Sequence, residues 1–133
     1  MKKLSLLILA ITTLAITSCK NDDDNSVPIS ESKLIGKWGL ISESGIIELT
    51  DCEKKSTLVF ENETYTDTYY APVNTDCQAD GEDKGTWKEN GSTLTFSYTL
   101  DGEATTDIAT FTIVENILTI THDNEKVYVY KKL

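Results

Sequence analysis

The residues of this chain that could do chemistry are few in kind: one histidine, three cysteines and 22 carboxylates, set against 12 lysines and no arginine. A hydrolytic triad needs a nucleophile beside a positioned base. His122 sits next to the turn-forming pair Asp123-Asn124 and reads as an exposed turn residue. A pair of carboxylates at glycosidase spacing is the other catalytic option. Most of the acidic residues, however, fall in turns or in the acidic N-terminal stretch, where a shifted pKa is least expected. The sequence therefore argues against an enzyme and assigns no catalytic residue. Two well-separated cysteines, Cys52 and Cys77, with one histidine do not make a four-ligand zinc cluster. Asp22-Asp23-Asp24 lacks the alternating ligands and turn glycine of a calcium loop. No metal or other cofactor is expected. Nor is nucleic acid, because phosphate binding needs clustered basic residues, and Lys54-Lys55 and Lys131-Lys132 are isolated pairs in a chain of net charge −10.

The third cysteine, Cys19, belongs to different chemistry. Met1-Lys2-Lys3 is a positive start, and Leu4 to Ile16 is an apolar run too short for the roughly 20 residues that a bilayer span needs, which is the make-up of a signal peptide. Its end, Ile16-Thr17-Ser18-Cys19, resembles the bacterial lipoprotein signal, in which the cysteine is acylated and becomes the mature N-terminus. Ordinary secretion is the alternative. The resemblance implies residues 1–18 as signal peptide, Cys19 as the lipid attachment site, and a membrane held through acyl chains as a partner. Loss of the two lysines would take the charge from −10 to about −12. Residues 19–29, polar and closed by Pro28, read as a disordered tether. Acidic residues directly after a lipidated cysteine also resemble the surface-export signal of Bacteroidota lipoproteins, which implies an outer-membrane lipoprotein, at the cell surface rather than the periplasmic face. Cysteine counting agrees: with Cys19 lipidated, Cys52 and Cys77 remain as an even pair, and export favours a disulfide between them over two free thiols.

Residues 30–133 must supply the scaffold. With 39% apolar residues among 133, the chain can build one core. Ser30 can cap a short helical turn to Leu34, ended by Gly36. From Trp38 onward a period-two pattern predicts strands at roughly 36–48, 56–61, 64–71, 84–89, 93–99, 105–114, 117–122 and 126–132. Leu58 and Phe60 share one face, as do Leu94, Phe96 and Tyr98, then Ala109, Phe111 and Ile113, then Leu118 and Ile120. Threonines fill the opposite faces. Asn90-Gly91 and Asp101-Gly102 are tight-turn signals, and links this short force antiparallel neighbours. About eight such strands hide their apolar face by closing into an all-β, antiparallel up-and-down meander barrel preceded by the helical turn. A two-sheet sandwich is the alternative fold.

Gly36-Lys37-Trp38 after a short helical turn, followed by this meander, resembles a lipocalin. More closely, Leu34-Ile35-Gly36-Lys37-Trp38, the segment Cys52 to Phe60, Gly85-Thr86-Trp87 and the ending Tyr128-Val129-Tyr130-Lys131-Lys132 resemble the small lipocalin-like lipoproteins of Bacteroidota, over residues 30–133. The resemblance implies a tryptophan at the closed end of the barrel with a basic residue of the last strand over it, here Lys131 or Lys132.

A barrel of eight strands is wide enough to be filled by side chains or to enclose one small ligand. The candidates for cavity or core are Trp38, Leu40, Leu58, Phe60, Trp87, Leu94, Phe96, Phe111, Ile113, Leu118 and Ile120, with Tyr65 and Tyr69 near an opening. Such a lining suits a small hydrophobic ligand with one or two polar anchors. The competing reading is a filled barrel that presents loops 43–55 and 72–84, with the cluster Tyr69-Tyr70-Ala71-Pro72, to a protein or glycan. A monomer is expected in either case.

Overall fold

The computed structural model describes residues 31–133. The expected signal peptide (1–18), Cys19, the expected tether (19–29) and Ser30 lie outside the described residues. The strands are β1 (Gly36–Glu43), β2 (Thr57–Phe60), β3 (Thr64–Val73), β4 (Asp76–Asn90), β5 (Thr93–Leu100), β6 (Glu103–Val114), β7 (Ile117–His122) and β8 (Val127–Lys132). Each pairs antiparallel with the next, and β8 pairs back onto β1, which closes an up-and-down barrel and rules out the sandwich. The described residues before β1 make one turn, with the Ile35 amide donating to the Ser32 carbonyl at 3.1 Å.

Two boundaries depart from expectation. β1 stops at Glu43 rather than continuing to residue 48, because a bulge between Leu40 and Ser42 bends it and the Ile46 amide turns back onto the Glu43 carbonyl. The second departure is at 72–84, expected as a loop. Residues 72, 73 and 76–84 are instead the outer part of a β3–β4 hairpin, with Pro72 opposite Cys77 and Val73 opposite Asp76 around the Asn74-Thr75 turn. Proline is tolerated there because that stretch of β3 needs no further partner on its outer side. β4 pairs with β5 only over Gly85–Asn90, and β6 pairs with β7 only from Ala109 onward. The hairpins thus outgrow the barrel at one end.

Cys52 and Cys77 form the expected disulfide, their Cα atoms 5.3 Å apart. It ties the outgrown part of β4 to the residue just before the 3-10 turn Glu53–Lys55 in the β1–β2 connection. The opposite end is sealed. Leu34, Trp38, Phe60, Leu94 and Leu118 are essentially inaccessible to solvent there, and Trp87 lies edge-on to Phe60 with ring centres 5.0 Å apart. The Trp38 indole donates to the Leu34 carbonyl at 2.7 Å, and Lys132 Nζ lies 4.9 Å from the indole centre while donating to the Lys33 carbonyl. Gly36 is needed at this seal: its φ is +126°, and a Cβ would lie 3.3 Å from Lys132 Cε.

Candidate functional site

Strand alternation decides what faces the interior above the seal. On β3 the inward set is Tyr65, Asp67 and Tyr69. Opposite them on β4, in register, stand Gly85, Asp83 and Gly81. The two glycines give the rings room: Tyr69 lies over Gly81, and a Cβ at Gly85 would be 2.9 Å from Tyr65 Cε1 and 2.2 Å from the Ser97 carbonyl oxygen. β5 adds Phe96, Tyr98 and Leu100, β6 adds Asp107, β7 adds Ile120 and His122, and β8 adds Tyr128 and Tyr130. Together with Leu58 these residues line a cavity of about 360 Å³ that opens between the outgrown hairpins. Asn124 and Lys126 from the β7–β8 turn stand at its rim.

The barrel is therefore filled in its lower half and hollow in its upper half. Among the residues singled out from sequence, Leu58, Tyr65, Tyr69, Phe96 and Ile120 line the cavity. Trp38, Phe60, Trp87, Leu94 and Leu118 are packed into the sealed end, with Leu40 buried on β1. Phe111 and Ile113 are only partly buried, packed against the core from the lower part of β6. Tyr69 combines both expectations, lining the cavity while 39% exposed at its mouth.

Sequence reasoning missed the polar half of the lining. His122 is not an exposed turn residue. It ends β7, with its ring nearly parallel to Phe96 at 6.2 Å and edge-on to Tyr128 at 5.6 Å. Its Nδ1 lies 2.8 Å from an Asp107 carboxylate oxygen. A carboxylate only accepts, so Nδ1–H is the donor and Nε2 is left for the cavity. The acidic residues are likewise not confined to turns. Asp67, Asp83 and Asp107 all come from strands. The missed signal was the period of two itself, which carries the face of Tyr65 on through Asp67 and that of Ile120 on to His122.

The electrostatics follow from this enclosure. Loss of water raises the Asp67 carboxyl to about 6 from its ordinary 3.8; a bond from the Tyr69 hydroxyl opposes the rise and the facing Asp83 adds to it. Enclosure is also the main reason Tyr65 is pushed up to about 12, with Asp83 contributing. Tyr69, Tyr128 and Tyr130 are raised chiefly by the same desolvation, so the phenols stay neutral through the physiological range. Tyr65 and Tyr130 are 6% and 5% exposed as residues; their hydroxyls make no bond to another described residue and open into the cavity. No group of three or more potential metal ligands occurs among the described residues.

The arrangement can hold a small molecule by ring faces and fix it by carboxylates and hydroxyls. Comparison with known proteins agrees with the geometry. No curated protein matches the sequence significantly. Among solved structures, an uncharacterized protein from Bacteroides eggerthii superposes with a TM-score of 0.52 at 11% identity, covering 75% of this chain and 99% of that one, which shows a shared fold. A mutant of the fluorescent protein UnaG aligns over 75% of this chain and 96% of its own at 18% identity, with a TM-score of 0.36 that carries no weight. The family model for the lipocalin-like domain, which is typically a binding fold rather than a catalytic one, matches residues 34–112, more than half of the sequence. The chain belongs to the lipocalin-like domain family.

Proposed function

We propose that this protein is a lipid-anchored carrier or receptor that holds a small, largely apolar ligand in the upper half of its barrel, at the outer membrane and facing the cell exterior. The observation that carries the binding half is the cavity of about 360 Å³, walled by aromatic rings and set above a solid floor. That volume is at the lower end of the range for small-molecule sites, about 300–1,000 Å³. The sealed end fixes the wall strands, so the pocket is preformed and binding need not pay for its ordering. The anchor half rests on the Ile16-Thr17-Ser18-Cys19 motif and the acidic residues that follow it.

Native mass spectrometry of the exported protein tests the carrier. A reproducible extra mass of a few hundred daltons is expected on the folded chain, lost on unfolding and weakened by Phe96→Ala. Equal folded and unfolded masses, together with no binding from a panel of fatty acids, isoprenoids and tetrapyrroles, would refute it. Cys19→Ala tests the anchor, and should abolish acyl labelling and release the protein from membranes.

A second reading, an interaction module, is favoured by one observation. Ile47 is fully exposed and Ile46 39% exposed, side by side in the β1–β2 connection at the open end. The 72–84 segment named with it is strand, so the β1–β2 connection is the remaining irregular surface of that pair.

A further inference from the structure

The cavity lining is not electrically neutral, and its imbalance narrows the ligand. Asp67 and Asp83 are direct cross-strand partners on β3 and β4 and both line the cavity. Side chains so placed have Cβ atoms about 5 Å apart, and like charges at that position repel. Ordinarily a lysine or arginine would sit between them. Here the rim lysine, Lys126, is turned to Glu43 at 3.6 Å, Lys84 is paired with Glu82 at 2.6 Å, and among the described residues no cation lies within ion-pair distance of Asp67 or Asp83. Asp107 differs, because His122 already occupies it. Around the uncompensated pair stand the ring faces of Phe96 and Tyr128, and Tyr65 and Tyr130, residues more than nine-tenths buried whose hydroxyls open into the cavity with no protein partner among the described residues.

We infer that the ligand of this cavity is an organic cation: an apolar, preferably aromatic body bearing an ammonium group, seated with its nitrogen between Asp67 and Asp83 and its body against the rings. This rests on the carrier reading above and names its chemical class. Ammonium N–H groups would donate to the two carboxylates and to the phenol oxygens that open into the cavity. Aromatic faces attract a cation further. The acidic cavity in a chain of net charge −10 would also draw cations toward the mouth and turn anions away. A metal ion fits less well, since only two of the carboxylates converge and the third is held by His122.

Binding should strengthen as pH rises through about 6, where Asp67 ionises. The groups facing that carboxyl are Asp83 from β4, Glu43 from β1, Tyr128 and Tyr130 from β8, and Tyr65 and Tyr69 on its own strand, with Asp107 and His122 across the cavity. The carboxyls and phenols among these can add only negative charge as pH rises.

Three probes of one shape test the inference by calorimetry on the full-length chain in detergent: 1-naphthylmethylamine, 1-naphthalenemethanol and 1-naphthoate. At pH 7.5 the amine should bind at least tenfold tighter than the alcohol, and the carboxylate weakest of all. Asp83→Asn, at the solvent-facing rim where folding is least at risk, should narrow the gap between amine and alcohol by about tenfold; Asp67→Asn should do the same. An alcohol that binds as well as the amine, or an amine preference that survives both substitutions, would overturn the cation assignment and leave the apolar carrier standing. Calcium or zinc displacing the amine stoichiometrically would overturn it in favour of a metal. Failure of all three probes to bind would overturn both the cation and the carrier.

Discussion

Replacing Asp67 by Asn should stabilise this protein at neutral pH and do almost nothing in acid. In the folded chain the carboxyl is raised from 3.8 to about 6, mainly because the barrel wall strips its water. A group whose folded pKa is raised adds stability that is fully present below its unfolded value, here near 4, and lost as pH rises through about 6. At 1.36 kcal/mol for each tenfold change in proton affinity the full effect is about 3 kcal/mol. Cavity water reaches part of the side chain, so about 1–3 kcal/mol is the expected gain for Asn at pH 7.5. For a domain of this size, with a urea slope on the order of 1–1.5 kcal/mol/M, the midpoint should rise by about 1–2 M. The assay is urea unfolding followed by Trp38 and Trp87 fluorescence, on wild type and Asp67→Asn at pH 4 and pH 7.5. The difference between the two proteins cancels the titration of every carboxylate that is not coupled to Asp67. A gap that does not change with pH, or an Asn variant that is less stable at pH 7.5, would refute the account of Asp67 as an enclosed charge without a counterion.

Three further outcomes follow from the same geometry. Gly85→Ala should cost about 1–3 kcal/mol, because its methyl would meet the Ser97 carbonyl oxygen at 2.2 Å and Tyr65 at 2.9 Å; thermal unfolding at neutral pH reads it. Replacing Cys52 and Cys77 together by serine should cost about 3 kcal/mol in the chain-entropy picture, since the bond closes a loop across 25 positions; urea midpoints with and without reductant check this. Tyr65, Tyr69, Tyr128 and Tyr130 are all held above the ordinary value of 10, so the unfolded state releases protons first and stability should fall as pH rises from about 10 to 12. Tyrosinate absorbance should then rise together with the loss of tryptophan fluorescence, and ionisation of all six tyrosines near pH 10 in an intact fold would contradict it.

The fold was legible because its signals were local and repeated. Period-two faces such as Leu94-Phe96-Tyr98, bounded by Asn90-Gly91 and Asp101-Gly102, specify strands and links without reference to the rest of the chain. The seal was legible for another reason, since Gly36-Lys37-Trp38 and Lys132 meet only if the two chain ends adjoin, as closure requires. The cavity was not legible in the same way. Reading apolar residues as inside and polar ones as outside hides Asp67, Asp107 and His122, which point inward because their strand neighbours Tyr65, Ala109 and Ile120 do. Whether a barrel is full or hollow depends on ring volumes stacking layer by layer, and pairs such as Tyr65 over Gly85 become visible only once register is known. The 72–84 stretch, read as a loop, pairs instead as the far part of a hairpin, which is visible only once the register of β3 and β4 is known.

The outgrown halves of β4 and β6 carry a further consequence, for crowding. Although the strands close into a ring, stretches such as Asp76–Lys84 and Glu103–Ile108 are paired along one side only, so the molecule keeps open strand margins beside its mouth. Such margins invite a strand from a neighbouring molecule and, repeated, a growing stack. On β4 the margin bears Asp76, Asp80, Glu82 and Asp83 against the single Lys84. Two copies meeting edge to edge would bring those carboxylates together before any backbone bond could form. The acidity of this chain thus acts as a spacer, keeping copies apart where they are concentrated while leaving the opening clear.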